Sequence, residues 1–297
     1  MQQAKKRKFN IIPYLFVLPA FLIHLIIVAI PSMSTLYLAF FEWNGIGTPT
    51  WIGMQNFIDI FTNDRVVRIA LMNNLRWMAI FLTIPIILGF VVAVLISKTT
   101  YFQILFRTAF FMPFVLSAAV VAAIWTAYFN PFYGIGNLFA AWGWDNLAST
   151  LWLVNPDLAL YSIAFVDNWR WWGFVMVIFL GAMQQVDPAL YESARVDGVN
   201  RFQEVLYITL PSIRRTIGFM LIMTVMWSFL TFDYVWVMTQ GGPAHTTEIM
   251  STWIYKNAFI RYNAGYANAL VVIQSIICIG FYFIQRYVTK KGRLGDE

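Results

Sequence analysis

Charge is scarce in this chain: only 11% of its 297 residues are Asp, Glu, Lys or Arg, where a soluble domain carries about 25%. It has one cysteine, Cys278, and two histidines, His24 and His245. A single thiol excludes an internal disulfide and any cysteine-based zinc site. Neither histidine has a partner at metal-ligand spacing, so both read as packed or solvated side chains. No Gly-x4-Gly-Lys-Ser/Thr loop occurs, which excludes a phosphate cradle of that kind. The paired acidic, metal-binding or nucleophile–base motifs of a membrane-embedded enzyme are missing as well.

What the chain has is apolar surface, with 60% of its residues hydrophobic. A soluble fold has too little interior to hide that much, so a bilayer must cover it. Crossing the hydrocarbon takes roughly 20 mainly apolar residues. Six stretches qualify, at 11–35, 76–97, 108–129, 160–184, 216–238 and 266–288. The expected architecture is all-α and polytopic. It has a basic segment 1–10, one transmembrane domain 11–297, a cytosolic loop 185–215 and outer loops 41–75, 130–159 and 239–265. The first stretch follows Lys5-Lys6-Arg7-Lys8 but is too long for a signal-peptide core and lacks a small-residue cleavage pattern, so it reads as an uncleaved anchor. Ser117-Ala118-Ala119 in the third suits close packing against another helix.

Basic residues set the orientation. With both termini in the cytosol, fourteen lie inside, among them Lys5 to Lys8, Lys98, Arg107, Arg195, Arg201, Arg214, Arg215 and Arg286. Five lie outside (Arg65, Arg68, Arg76, Lys256, Arg261), and Arg170 is within the fourth span. That is a positive-inside bias, so the net charge of +6 needs no nucleic acid to explain it. Trp43, Trp51, Trp142, Trp144, Trp152 and Trp253 all fall outside, and most of them are expected to form an interfacial belt. Glu42, Asp59 and Asp64 make the first outer loop slightly acidic, with no pattern for catalysis. Gly241-Gly242-Pro243 reads as a turn, followed by a helix-like run from Thr246 to Phe259.

The cytosolic insert is the most structured polar segment. Asp187-Pro188 combines an N-cap with proline at the first helical position. The helix then runs to Asp197, with Leu190, Ala194 and Asp197 on one side and Glu192 placed to pair with Arg195. Gly198 accepts the left-handed conformation that ends a helix. Asn200 and Gln203 have capping-box spacing, and a second helix presents Phe202, Val205, Leu206 and Ile208 before stopping at Pro211. The residues themselves allow two outcomes: a rigid knob offered to a partner, or an amphipathic hairpin on the inner leaflet.

The spacing Glu192-Ser193-Ala194, three residues, Gly198, nine residues, Ile208-x-Leu210-Pro211 resembles the signature loop of the permease subunits of binding-protein-dependent ABC importers. That loop usually reads Glu-Ala-Ala, and Ser193 departs from it by one small residue. The carbohydrate-uptake branch of that family is further resembled by Phe106-Arg107-Thr108 with Pro113, Ile124-Trp125, Asn130-Pro131 through Tyr133-Gly134 to Asn137, and Gly173-Phe174. Asp233, Thr239, Gly241-Gly242-Pro243, Thr247, Tyr255 and Gly265-Tyr266-Ala267 extend the likeness. The resemblance implies a type I importer fold in a bacterial cell membrane and a heterodimer with a second permease. It also implies two cytosolic ATPase subunits that hold ATP and magnesium, an extracellular sugar-binding protein, and no cofactor on this chain. On the family pattern Tyr191, Glu192, Ser193, Ala194, Asp197, Gly198, Phe202, Ile208, Leu210 and Pro211 couple to the ATPase, with Tyr191 and Ala194 packing in its groove.

Charges inside spans are costly and mark either ion pairs or polar pathways. Asp167 and Arg170 are three apart on one helical face; they either pair with each other or line a cavity that takes sugar hydroxyls. Asn168, Trp171 and Trp172 accompany them, and Trp227, Asp233 and Tyr234 repeat that chemistry on the fifth span. An ion-coupled secondary transporter using Asp167 and Asp233 is the alternative, though the inverted repeats common in such proteins are not evident.

Overall fold

A backbone crossing lipid has no water to satisfy its N–H and C=O groups, so the apolar runs are expected to become helices. The computed structural model of the chain describes residues 12–97 and 102–291; Lys5 to Lys8, Lys98 and Arg293 lie outside the described residues. Among the described residues, five helices are long and apolar enough to span: Leu15–Leu38, Arg65–Ser97, Ala159–Met183, Arg214–Met238 and Ala264–Ile284. A sixth span is a pair, Gln103–Val115 and Ala118–Tyr128, bent by 90°. Strand among the described residues is confined to Phe41–Glu42 paired antiparallel with Thr50–Trp51. The fold is thus essentially all-α, as expected.

The second helix reaches beyond its apolar run. Its 33 residues from Arg65 make about 50 Å at 1.5 Å per residue, against about 30 Å of hydrocarbon. The helix is therefore longer than the hydrocarbon is thick, and its start is capped by Asp64, whose Oδ1 accepts from the amides of Val66 (2.8 Å) and Val67 (3.2 Å).

The chain divides into two compact units. One comprises residues up to 62 together with 257–273. It holds the first span, in which no side chain from Leu15 to Leu38 is buried, the pattern of a helix whose surroundings are lipid. A π-turn at Leu25–Ala29 precedes Pro31, which has no N–H for the carbonyl of Ile27. Asn56 ties the end of this span to the strand pair by donating to the carbonyls of Ala39 and Phe41, each at 2.9 Å.

The second unit comprises 63–256 and 274 onward, and its core lies where the second and fourth spans cross. Trp77, Phe81, Trp171, Val175, Phe179 and Leu180 are buried there. Close approach is set by glycine: a Cβ on Gly89 would stand 2.8 Å from Val175 Cγ1, and one on Gly173 would collide with the carbonyl of Phe110. In lipid such contacts stabilise through dispersion and shape rather than through water release.

Two spans of this unit are broken. In the third, Leu116 and Ser117 are extended (ψ 145° and 146°), and Ser117 Oγ accepts from Val120 N at 3.4 Å. The Ser117-Ala118-Ala119 run is therefore not the packing face of a straight span; its serine caps a new helix. The fifth is interrupted at Thr231 and Phe232. Its freed carbonyls are taken by side chains: Asn74 donates to Ser228 O (2.8 Å), Gln274 to Phe229 O (2.8 Å), and the Ser251 hydroxyl to Thr231 O. Each would otherwise be an unpaired polar group at membrane depth.

Candidate functional site

The insert between the fourth and fifth spans folds as its caps dictate. Asp187 Oδ1 accepts from Ala189 N at 2.9 Å and Pro188 opens the helix Pro188–Val196. Gly198 has φ +75°; its amide donates to Arg195 O (3.2 Å) and that of Val199 to Ala194 O (3.0 Å), a full Schellman termination. Asn200 and Gln203 then exchange side-chain and backbone bonds at 2.9 Å each, opening Arg201–Glu204. Tyr191 OH lies 3.2 Å from Thr209 Oγ1, which fastens the first helix to the return segment.

Three expectations change. Glu192 and Arg195 form no ion pair with each other; both instead line a cleft of about 440 Å³ with Tyr191, Glu204, Thr209 and Met183. Leu190, Ala194 and Asp197 do not share one environment: Ala194 is buried, while Leu190 and the C-capping Asp197 are exposed. The return segment does not stop before Pro211. A π-turn, Val205–Thr209, carries it into Leu210–Ser212, where proline sits in the first turn and needs no donor. Ile208 and Leu210 are half-buried; Ser193 and Pro211 are exposed. The tip around Gly198 presents Val196 (87% exposed) and Phe202 (75% exposed).

The intramembrane residues come together in part. Trp227 Nε1 donates to Asp167 Oδ2 (3.2 Å), and Trp227 stacks on Trp171 with centroids 4.8 Å apart. Arg170 and Asp167 do not form the direct pair their spacing allows. The guanidinium instead donates to Tyr234 OH and Phe114 O, each at 3.2 Å, because both lie on neighbouring spans within its reach. Asp167 Oδ1, both amide atoms of Asn168, Trp171 Nε1 and Thr224 Oγ1 are buried with no hydrogen-bond partner. Trp172 turns away, its ring 5.2 Å from that of Phe110. Asp233 is exposed just past the break in the fifth span, so no second buried carboxylate joins Asp167.

Between the fifth and sixth spans the sequence reading overlooked Glu248. Its side chain is fully buried, with Oε2 2.6 Å from Lys256 Nζ and 2.9 Å from His245 Nδ1, and Oε1 accepting from Thr252 Oγ1 at 2.7 Å. The available signal was that Glu248 is the sole acid between 239 and 265. His245 is thereby neither packed in the core nor merely solvated. Asn73 donates to the carbonyls of Thr246 (2.8 Å) and Glu248 (2.9 Å), which holds 246–249 non-helical; the helix is Met250–Tyr255 and continues as a π-turn. Trp253 is not part of an interfacial belt. It is buried and donates to Asp64 at 2.9 Å. Trp152 is packed on Phe129 with centroids 5.7 Å apart, whereas Trp51, Trp142 and Trp144 are exposed.

Comparison with known proteins agrees with this geometry. Residues 86–293 match the family described as binding-protein-dependent transport system inner membrane component. The chain is 33% identical over 291 residues to a probable ABC transporter permease, YurN of Bacillus subtilis, covering 96% of this chain and 98% of that one. It is 28% identical to AmyD of Thermoanaerobacterium thermosulfurigenes, a probable permease of a starch degradation products transport system, over 97% and 98% of the two chains. Its fold superposes with a TM-score of 0.85, at 23% identity, on a bacterial ABC transporter involved in import of the acidic polysaccharide alginate, covering 94% of this chain and 95% of that one. This chain is a multi-pass membrane protein that belongs to the inner membrane component family of binding-protein-dependent transport systems, the permeases of ABC importers.

Proposed function

We propose that this chain is one half of the translocation pathway of an ATP-driven importer for di- or oligosaccharides, with both termini cytosolic. It works with a second permease, an extracellular binding protein and two ATPase subunits; ATP and magnesium stay on the ATPases and this chain hydrolyses nothing. The observation that carries the reading is the knob between Asp187 and Ser212. It is capped at three points and fastened by Tyr191 to Thr209. It exposes Val196 and Phe202 beside Gly198, among the polar side chains of Arg195, Asp197, Asn200 and Arg201. Exposed apolar groups on a rigid polar projection mark a docking point.

Tyr191 and Ala194 support the knob from within, so the outward contact falls to Leu190, Val196 and Phe202, with Glu192, Ser193 and Asp197 at the rim. Ile208, Leu210 and Pro211 connect the knob to the fifth span. When the ATPases close on nucleotide, a stiff knob carries the displacement into the fourth and fifth spans, a rigid-body switch biased from another subunit. Within those spans Asp167, Asn168 and Trp171 bury unpaired polar atoms beside the stacked Trp171 and Trp227, hydrogen-bonding groups and aromatic faces that suit sugar rings once the pathway opens between the spans. Tyr234, bonded to Arg170, adjoins them, while Trp172 and Asp233 lie outside the cluster. Carbohydrate as the cargo class is supported by relatives such as the starch-product permease.

The test uses Val196→Cys in a Cys278→Ser background, cross-linked to single-cysteine ATPase subunits in the assembled importer. Nucleotide-dependent cross-linking to the ATPase supports the reading. Labelling of Val196→Cys by an impermeant thiol reagent applied outside intact cells would overturn it.

A further inference from the structure

Arg170 is buried on the fourth span, and its guanidinium reaches two other spans where each is broken. Nη2 donates to the carbonyl of Phe114 (3.2 Å), with Cζ 4.7 Å from the centre of that residue's ring. Phe114 lies in the last turn before the third span bends. In an unbroken helix its carbonyl would accept from the amide of Ala118, but Leu116 and Ser117 are extended and the chain turns 90°. Nη1 donates to the hydroxyl of Tyr234 (3.2 Å), in the first turn after Thr231 and Phe232 interrupt the fifth span.

The halves of the third span are seated differently. Gln103–Val115 rests on the fourth span at Gly173, where backbone meets backbone and a side chain has no room. Beyond the bend, Ala118–Tyr128 meets the fourth span through ring contacts of Trp125 with Phe165 (5.4 Å) and Trp169 (5.7 Å). It also packs on Asp233–Met238, the half of the fifth span that lies beyond the break there. The two outer half-helices thus share an interface, and each is jointed to its own inner half by extended or irregular residues.

We propose that Arg170 is a positioning residue: the outer halves of the third and fifth spans move as one piece about Leu116–Ser117 and Thr231–Phe232, and Arg170 is the fixed point that sets their angle. A planar guanidinium holds its donors in a rigid fork, so one side chain on an intact helix fixes two partners in a defined relation. A freed carbonyl at membrane depth also demands a donor, which ties the bend to Arg170 energetically as well as geometrically. A lysine ammonium is a single point on a flexible stem and cannot fix the relation of both. The proposal draws on the importer reading only for its transport measurement.

The experiment uses the importer reconstituted in liposomes with its second permease, ATPases and binding protein, in a Cys278→Ser background. Spin-label pairs are placed at Tyr128→Cys with Tyr161→Cys, across the outer half, and at Ile104→Cys with Gln185→Cys, across the inner half. In Arg170→Gln the outer distance distribution is expected to broaden while the inner one stays unchanged. ATP consumed per substrate transported should rise about fivefold, at the lower end of the range for coupling between sites, with the half-saturating substrate concentration unaltered. Arg170→Lys and Tyr234→Phe keep most of the packing and should show the same selective broadening to a smaller degree. Their behaviour decides the matter if Arg170→Gln does not assemble. Unchanged outer distances, or equal broadening of both pairs, would overturn the proposal. So would a raised half-saturation with normal coupling, which would make Arg170 a substrate contact. The distance measurement needs no transport, so this proposal and the importer reading fail separately.

Discussion

Replacing Glu248 with alanine removes the centre of the segment between the fifth and sixth spans. The carboxylate is fully buried and serves Lys256 Nζ (2.6 Å), His245 Nδ1 (2.9 Å) and Thr252 Oγ1 (2.7 Å). Lys256 is itself largely buried, its side chain 17% exposed, and its other partner is the carbonyl of Gln240 at 2.8 Å. Without Glu248 an ammonium is left in a mostly dry site with one neutral acceptor, and breaking a buried pair from one side costs about 3–5 kcal/mol. His245 is 39% exposed on its side chain, and its loss alone should cost about 1 kcal/mol or less, as for other solvent-screened pairs. The double variant Glu248→Ala with Lys256→Met leaves no orphan charge. It should be more stable than Glu248→Ala alone, with a coupling of about 2 kcal/mol or more, within the range for contacting residues. Reversible unfolding of the detergent-solubilised permease, read by tryptophan fluorescence for wild type, both single variants and the double, measures that cycle. Strictly additive single effects, or a loss in Glu248→Ala below about 1 kcal/mol, the typical net value of one neutral hydrogen bond, would refute the reasoning.

Other expectations follow from single positions. Gly198 has φ +75° and open space around its missing Cβ, so Gly198→Val meets only backbone strain of about 1–2 kcal/mol; ATPase co-purification should fall while permease yield holds. Gly173→Ala forces the third and fourth spans apart against the Phe110 carbonyl; a loss of about 1–3 kcal/mol or more should show as a lower aggregation temperature in detergent. Trp227→Phe keeps a ring on Trp171 but removes the donor to Asp167 Oδ2. Leaving that acceptor unmet costs about 1–3 kcal/mol, and uptake should drop; unchanged uptake and stability together would remove Trp227 from the site.

Much of the knob was legible because caps are local. Asp187-Pro188, Gly198 and Asn200 with Gln203 fix backbone conformation through partners within a few residues, and such partners lie in the same stretch of sequence. The second helix's start at Arg65 was equally local, through Asp64, but a hydropathy count stops where apolarity stops. The breaks were harder to see. Pro113 is a helix-disrupting residue within 108–129, but where each span divides is not legible in 108–129 or 216–238, because the carbonyls freed by the bends are met by Arg170, Asn74, Gln274 and Ser251 from distant stretches.

The sequence by itself determined that this chain lives in a bilayer as a set of helices, and that a capped, charge-bearing knob lies between the fourth and fifth spans. Hydropathy, positive charge and capping are properties of short windows, and lipid leaves helices as the main way to satisfy a crossing backbone. Only the tertiary structure decided what the buried polar groups do. Asp167 meets Trp227 rather than Arg170, Arg170 serves two broken spans, and Glu248 gathers Lys256, His245 and Thr252. Buried away from water, such a group can bond only a partner that the packing of helices brings within about 3 Å, and residues such as Asn73 and Thr246, 173 positions apart, become neighbours only once the helices have packed.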